Sequence, residues 1–218
     1  MSKRIAWLSS RVLGKDLCST TQINLTNGLI KKGHEVTFYS PGKNKNSIFK
    51  HESVTRSKFR GLQSYSVSKA LKLRIKELYD YDLVLIDWTI GGLIPKLSSK
   101  VIIIDRGPPA DKGILSYIQW LVWRKSWNRA SMGTVVSENH REFVLDKTNS
   151  SPDSIGVIPA GVDLELFQPG KKDGPIKLAY HGRVDVHRGV MSLPMILAGL
   201  HSQGVEATLH IHGTGDAL

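Results

Sequence analysis

Charge and glycine come together at several points in this sequence. Arg183 and Arg188, beside Gly182 and Gly189, flank the expected start of a helix that follows the strand at 176–181. Cations next to helix-start amides hold anions such as phosphate; the plainer reading is a pair of ordinary surface arginines. In the loop at 10–16, Gly14 and Lys15 can bring backbone amides and a positive charge toward an anion. Asp105 and Arg106 close an aliphatic run. Such a pair can orient a bound group or hold a phosphate, and it can equally be an internal ion pair capping a sheet. Another feature is a block rather than a point. From Lys43 to Lys76 there are ten basic residues and one acid, Glu52. This block reads as a surface for a polyanion (nucleic acid, anionic lipid or a phosphorylated substrate) or as a solvated face with no partner.

These residues need elements to position them. The apolar run at 4–9 reads as a strand, and Ser19-Thr20-Thr21-Gln22 fits a capping box with Ser19 as N-cap of a helix. Gly33 sits just past that helix, where a left-handed cap favours glycine. The segment at 34–39 alternates as a strand does. Aliphatic runs at 82–87 and 101–105 read as buried parallel strands, each ending in an acid at its carboxyl end. Further strands are expected at 132–137 and 154–159, with a helix over 138–147 between them. Strands alternating with helices predict an α/β fold with a doubly wound parallel sheet, whose ligands gather at the carboxyl ends of the strands. The segment at 161–175 carries Pro169, Gly170, Gly174 and Pro175 and reads as a linker. A strand at 176–181, a helix over 190–202 and a strand at 207–212 follow, a unit too small to carry its own core.

The totals bound the class. A chain of 218 residues with 40% apolar content is globular rather than disordered. Its single cysteine, Cys18, rules out an intramolecular disulfide framework and fits a reducing compartment. No apolar run approaches a membrane span, and the amino terminus lacks the long apolar stretch of a secretory signal. The expected location is cytoplasmic, with peripheral attachment to the inner face of the membrane. The net charge of +11 is lopsided: residues 1–160 carry 25 basic and 13 acidic residues, and 161–218 carry 5 and 6.

Five stretches, in order, resemble glycosyltransferase family 4. They are Lys32-Gly33-His34-Glu35-Val36, Val135-Val136-Ser137-Glu138, and Val157-Ile158-Pro159-Ala160-Gly161-Val162-Asp163 with Phe167 and Pro169. Tyr180-His181-Gly182-Arg183 with Arg188-Gly189, and Leu209 through Gly215, complete the set. Ala160 stands where the family usually has Asn, and Arg188 where it usually has Lys. The resemblance implies a GT-B fold, a Rossmann-like doubly wound parallel sheet with an incomplete second Rossmann-like domain. It sets residues 1–160 as an acceptor-binding domain, 161–175 as an interdomain linker and 176–218 as the start of a nucleotide-sugar-binding domain. It further implies sugar transfer with retention at the anomeric carbon, a UDP- or GDP-linked sugar as donor substrate, and no cofactor or required metal. Gly182, Arg183, Arg188 and Gly189 take the place of the donor-phosphate motif, with Gly14 and Lys15 of the first loop beside them. A nucleoside diphosphate leaves with growing negative charge, which cations and helix-start amides can stabilise.

The sequence also departs from that pattern. The chain ends at Leu218, before the family's glutamate pair, so donor binding by these residues alone is expected to be weak and a fragment of a longer protein is the favoured reading. Where many members carry a histidine near the reacting sugar, this chain reads Asp105-Arg106-Gly107-Pro108-Pro109, which makes Asp105 and Arg106 the catalytic candidates. The segment at 114–130 is apolar on two sectors when placed on a helix. Ile114, Ile118, Leu121 and Val122 share one, and Trp120, Trp123 and Trp127 lie roughly opposite. A neighbouring helix covering the tryptophans is the expected outcome, with a partner domain, dimer or membrane contact as the other. Expected partners are a nucleotide-sugar donor, an acceptor sugar or lipid-linked glycan, and an anionic membrane surface met through Lys43 to Lys76. No nucleic acid is expected, because few aromatic residues accompany the basic block and no binding motif does. The alternatives to an active enzyme of this family are a non-catalytic acceptor-binding or scaffold domain and another GT-B enzyme such as a sugar epimerase.

Overall fold

The computed structural model describes residues 1–13, 19–42, 48–59, 61–97, 100–109, 113–170 and 174–217. Gly14 and Lys15 fall outside them, as do the first lysines of the basic block. Alternation along the strands sets up two buried faces. In β1 (Arg4–Leu8), Ile5 and Trp7 enter one apolar cluster and Ala6 and Leu8 the other. Helix α1 (Ser19–Lys31) lies against the first cluster through Ile23, Leu29 and Ile30. It already includes Ser19, which the sequence set as its N-cap, and the Gln22 side chain of the expected capping box turns instead to Ser9 and Asp87. The helix ends as expected. Gly33 has φ +85°, and His34 N donates to Leu29 O at 3.1 Å, the wrap that a left-handed residue allows.

The chain continues through β2 (Glu35–Ser40), β3 (Lys50–Ser53), α2 (Gln63–Leu73) and α3 (Ile75–Leu78). It then runs through β4 (Leu83–Asp87), α4 (Trp88–Gly91), β5 (Lys100–Ile104) and α5 (Ile114–Trp127). β6 (Met132–Val135), α6 (Glu138–Lys147) and β7 (Ile155–Val157) complete the first compact unit, Met1–Val162. All seven strands pair in parallel, in the order β3-β2-β1-β4-β5-β6-β7. Parallel strands need crossovers, and right-handed ones place helices on opposite faces when the winding reverses. Residues of α2, α4, α5 and α6 accordingly enter the second cluster, with Val67, Leu71, Ile90, Trp123, Trp127 and Val144 buried there. The reversal falls between β1 and β4.

The structure differs from expectation at α5. Trp123 and Trp127 are 0% and 3% exposed and face the sheet, while Trp120 packs half-buried against Trp123 and Phe143. The sector that points outward is the aliphatic one. Glycines make this possible. A Cβ on Gly92 would stand 2.5 Å from Val122 O, so α4 and α5 approach only because it is absent, and a Cβ on Gly133 would enter the Trp127 ring.

The second unit, Asp163–Leu218, holds β8 (Ile176–His181), α7 (Leu193–Ser202) and β9 (Ala207–His212). β8 and β9 pair in parallel with His181 opposite His212. The helix expected from 190 begins at Leu193, after two 3-10 turns at Val186–Arg188 and Val190–Ser192.

Candidate functional site

A parallel sheet that reverses its winding opens a crevice beyond the carboxyl ends of the two strands at the switch, here β1 and β4. Polar side chains with little apolar body gather there. Ser9 Oγ donates to Asp87 Oδ2 at 2.5 Å, and Gln22 Nε2 donates to both Asp87 oxygens at 3.2 Å and to Ser9 Oγ at 3.1 Å. Arg11 N donates to Ser9 Oγ at 3.2 Å, and the Ser10 and Thr89 hydroxyls lie 2.8 Å apart. The knot therefore ties the end of β1, the first turns of α1 and the start of α4 to one carboxylate. Burial pushes the Asp87 carboxyl above the usual range, and the Ser9 hydroxyl, the charge of Arg11 and Gln22 pull against it. Asp87 is legible in the sequence as a strand-end acid. Ser9, Ser10 and Thr89 are not, and Gln22 reads there as one half of a capping box. The signal that points to Gln22 is a glutamine on the buried side of a helix, which needs partners.

Next along the sheet, Asp105 occupies a different environment. It is 1% exposed, and its Oδ2 accepts Trp123 Nε1 at 2.7 Å and Trp127 Nε1 at 2.9 Å. Its Oδ1 accepts Gly107 N at 3.0 Å, and His140 Nε2 stands 3.6 Å from Oδ2. Arg106 is exposed, so the two adjacent residues do not form a pair. Trp88 Nε1 donates to Gly107 O at 3.0 Å and links the ends of β4 and β5.

In the second unit the two glycine turns interlock. Gly182 N donates to His212 O at 3.0 Å, Val184 N to Thr214 O at 3.0 Å, and Ala217 N to Val184 O at 2.9 Å. A Cβ on Gly213 would overlap Gly182 O, and one on Gly215 would overlap Val184 O. Gly189 takes the left-handed φ of +74° that turns the chain toward α7. Arg183 Nε is 2.8 Å from Asp185 Oδ2, so this arginine is held by a buried carboxylate, while Arg188 is exposed. The structure thus brings Gly182, Arg183 and the turn at 213–215 together and leaves Arg188 at the surface of its 3-10 turn. A hollow of about 400 Å³ opens at the amino end of β6, lined by Asn128, Ser131, Asn149 and Ser151. Trp127 also lines it, but none of the candidate catalytic or phosphate-binding residues does.

This topology is shared with solved GT-B glycosyltransferases. The structure of Anabaena Alr3699/HepE, determined in complex with UDP-glucose, superposes with a TM-score of 0.68 over 99% of this chain at 14% identity. A glycosyltransferase from Rickettsia africae superposes with a TM-score of 0.55 over 97% of the chain at 12% identity, and the glycotransferase of kitacinnamycin with 0.54 over 96% at 10%. The chain spans 61%, 68% and 65% of the lengths of these three proteins, respectively. The fold is α/β of GT-B type. The sequence profile of Glycosyltransferase Family 4 matches residues 19–166, and the chain belongs to that family. No curated protein matches its sequence.

Proposed function

We propose that this chain supplies the acceptor side, and the first part of the donor side, of a retaining glycosyltransferase that moves a hexose from a UDP- or GDP-linked sugar to a lipid-linked or otherwise anionic acceptor. The observation that carries the reading is the polar knot at the β1–β4 switch point in a chain of Glycosyltransferase Family 4. The UDP-glucose complex of HepE supports a nucleotide sugar as donor.

In this reading the chemistry needs no resident metal or cofactor. Arg188 and the amides around Gly182 and Gly189 meet the diphosphate as charge develops on it. Arg183, already paired with Asp185, fixes the turn and contributes less net charge. Ser9, Gln22 and Asp87 fix the backbone where the chain leaves β1, at the rim of the crevice. Asp105, with its acceptor sites taken by two indoles, positions the end of β5. Arg106, exposed beside it, is the member of that pair able to meet an anionic acceptor.

Saturation-transfer NMR of the protein with UDP-glucose, other UDP-sugars and GDP-mannose tests the donor site. One nucleotide series is expected to give transfer signals that Arg188→Ala abolishes. No signal from any of them overturns the donor assignment. Proton NMR of the glycosylated product tests retention, and an inverted anomeric coupling overturns it.

A further inference from the structure

We propose that the outward face of α5 docks on an anionic lipid surface. Ile114, Tyr117, Ile118 and Leu121 recur at i, i+3, i+4 and i+7, and are 80%, 67%, 52% and 51% exposed. A helix packed on a sheet normally turns polar side chains outward. Here the tryptophan sector supplies the packing, so these four apolar residues add nothing to the core. The patch continues onto the loop before α2. A Cβ on Gly61 would stand 3.2 Å from Leu115 Cδ2, and Phe59 and Leu62 on either side of Gly61 are exposed.

Charge selects the occupant. α5 contains no acid and ends with exposed Arg124 and Lys125. Lys58, Lys69, Lys72 and Lys76 are exposed on the neighbouring loop and helices. Two described acids of that region are engaged, Glu52 by Lys50 and Arg74, and Glu77 by Arg74. A second copy would set one strongly basic unit against another, and a nucleic acid would use the cations and leave the apolar face in water. A lipid surface with acidic headgroups uses both, with the helix lying in the interface, Tyr117 at headgroup level and the cations around it. Among the described residues no helix is long and apolar enough to cross a membrane, which fits contact by an in-plane face. The membrane contact is then made by α5, with Lys58, Lys69, Lys72 and Lys76 as its rim. It rests on the glycosyl-transfer reading only for its purpose, which is to bring a lipid-linked acceptor to the crevice.

Vesicle flotation of the full chain tests it without any sugar transfer, so failure here leaves the transfer reading standing, and the reverse. The protein is expected to float with phosphatidylcholine vesicles containing about one third phosphatidylglycerol and to remain below neutral phosphatidylcholine vesicles. Ile118→Glu and Leu121→Glu should each lower partitioning about tenfold, and so should the double variant Arg124→Glu/Lys125→Glu. Met195→Glu, on the exposed side of α7, should change nothing. Circular dichroism checks the fold of each variant, with Ile118→Ser as the milder substitution. The proposal is overturned by equal flotation with neutral vesicles, by none with either, or by undiminished flotation of Ile118→Glu and Leu121→Glu. It is equally overturned if light scattering shows a dimer that Ile118→Glu disperses, or if duplex DNA binds wild type and Ile118→Glu alike while vesicles bind neither.

Discussion

Asp87 ends β4 and Asp105 follows β5, on neighbouring strands whose register sets Asp87 beside Ile104. Each closes an aliphatic run, and in sequence they look interchangeable. Around Asp87 the donors are a serine hydroxyl and a glutamine amide, short groups carried by the end of β1 and by α1. Around Asp105 the side-chain donors are two indoles carried by one helix, each bringing a large apolar body with its N–H. The first arrangement fastens a loop at a ligand crevice. The second fastens a whole helix to the sheet, and turns that helix so that its other apolar sector meets solvent. What a buried carboxylate does is therefore set by the size of the donors that reach it.

Removing Asp105 should break the comparison most severely. Asp105→Ala leaves two buried indole N–H groups without an acceptor, and a loss of about 3–5 kcal/mol is expected in urea unfolding. Asp105→Asn, which keeps an acceptor, should cost clearly less. Gly133→Ala forces a methyl into the Trp127 ring from the other side, and should cost about 1–3 kcal/mol by the same measurement.

On the Asp87 side the effects are smaller and carry a sign in pH. Ser9→Ala should cost about 1–2 kcal/mol, the range of a buried hydrogen bond to an acid. The folded-state pKa of Asp87 is raised above its unfolded value by burial. Its contribution is therefore fully present below the unfolded carboxylate pKa and is lost as pH rises through the folded value. The melting temperature of wild type relative to Asp87→Asn should accordingly fall as pH is raised from the acid range toward neutrality; a flat difference would contradict the raised pKa. Smallest of all, Arg106→Ala should leave stability within about 0.5 kcal/mol, as for other exposed side chains. A loss of transfer in that variant then reports on acceptor contact and not on folding.

The sheet was legible because its evidence is local. Aliphatic runs such as those now seen as β4 and β5 can hardly be anything but buried strands, and Gly33 marks the end of α1 by a backbone need that few residues other than glycine meet. β3 and α2 were hidden because Lys50-His51-Glu52-Ser53 and the serine- and lysine-rich helix have little apolar signal; pairing with β2 and contact with α4 hold them. The facing of α5 could not be read from its own periodicity, which offers two apolar sectors. The deciding facts lie elsewhere in the chain, at Gly92, at Gly133 and in the need of Asp105 for donors. The knot at Asp87 was half visible: the acid could be named, but its partners Ser9 and Gln22 lie 78 and 65 residues away.

The aromatic hub has an optical consequence. All five tryptophans of the chain, Trp7, Trp88, Trp120, Trp123 and Trp127, belong to the unit Met1–Val162, and none to Asp163–Leu218. Trp120, Trp123 and Trp127 form a chain of edge-on contacts 5.4 and 6.4 Å apart, close enough to pass excitation among them. Indole emission therefore reports directly on the first unit, and no residue of the second contributes to it. A single fluorescence transition records the larger unit, and a probe such as Tyr180 or an amide signal is needed to follow the smaller one.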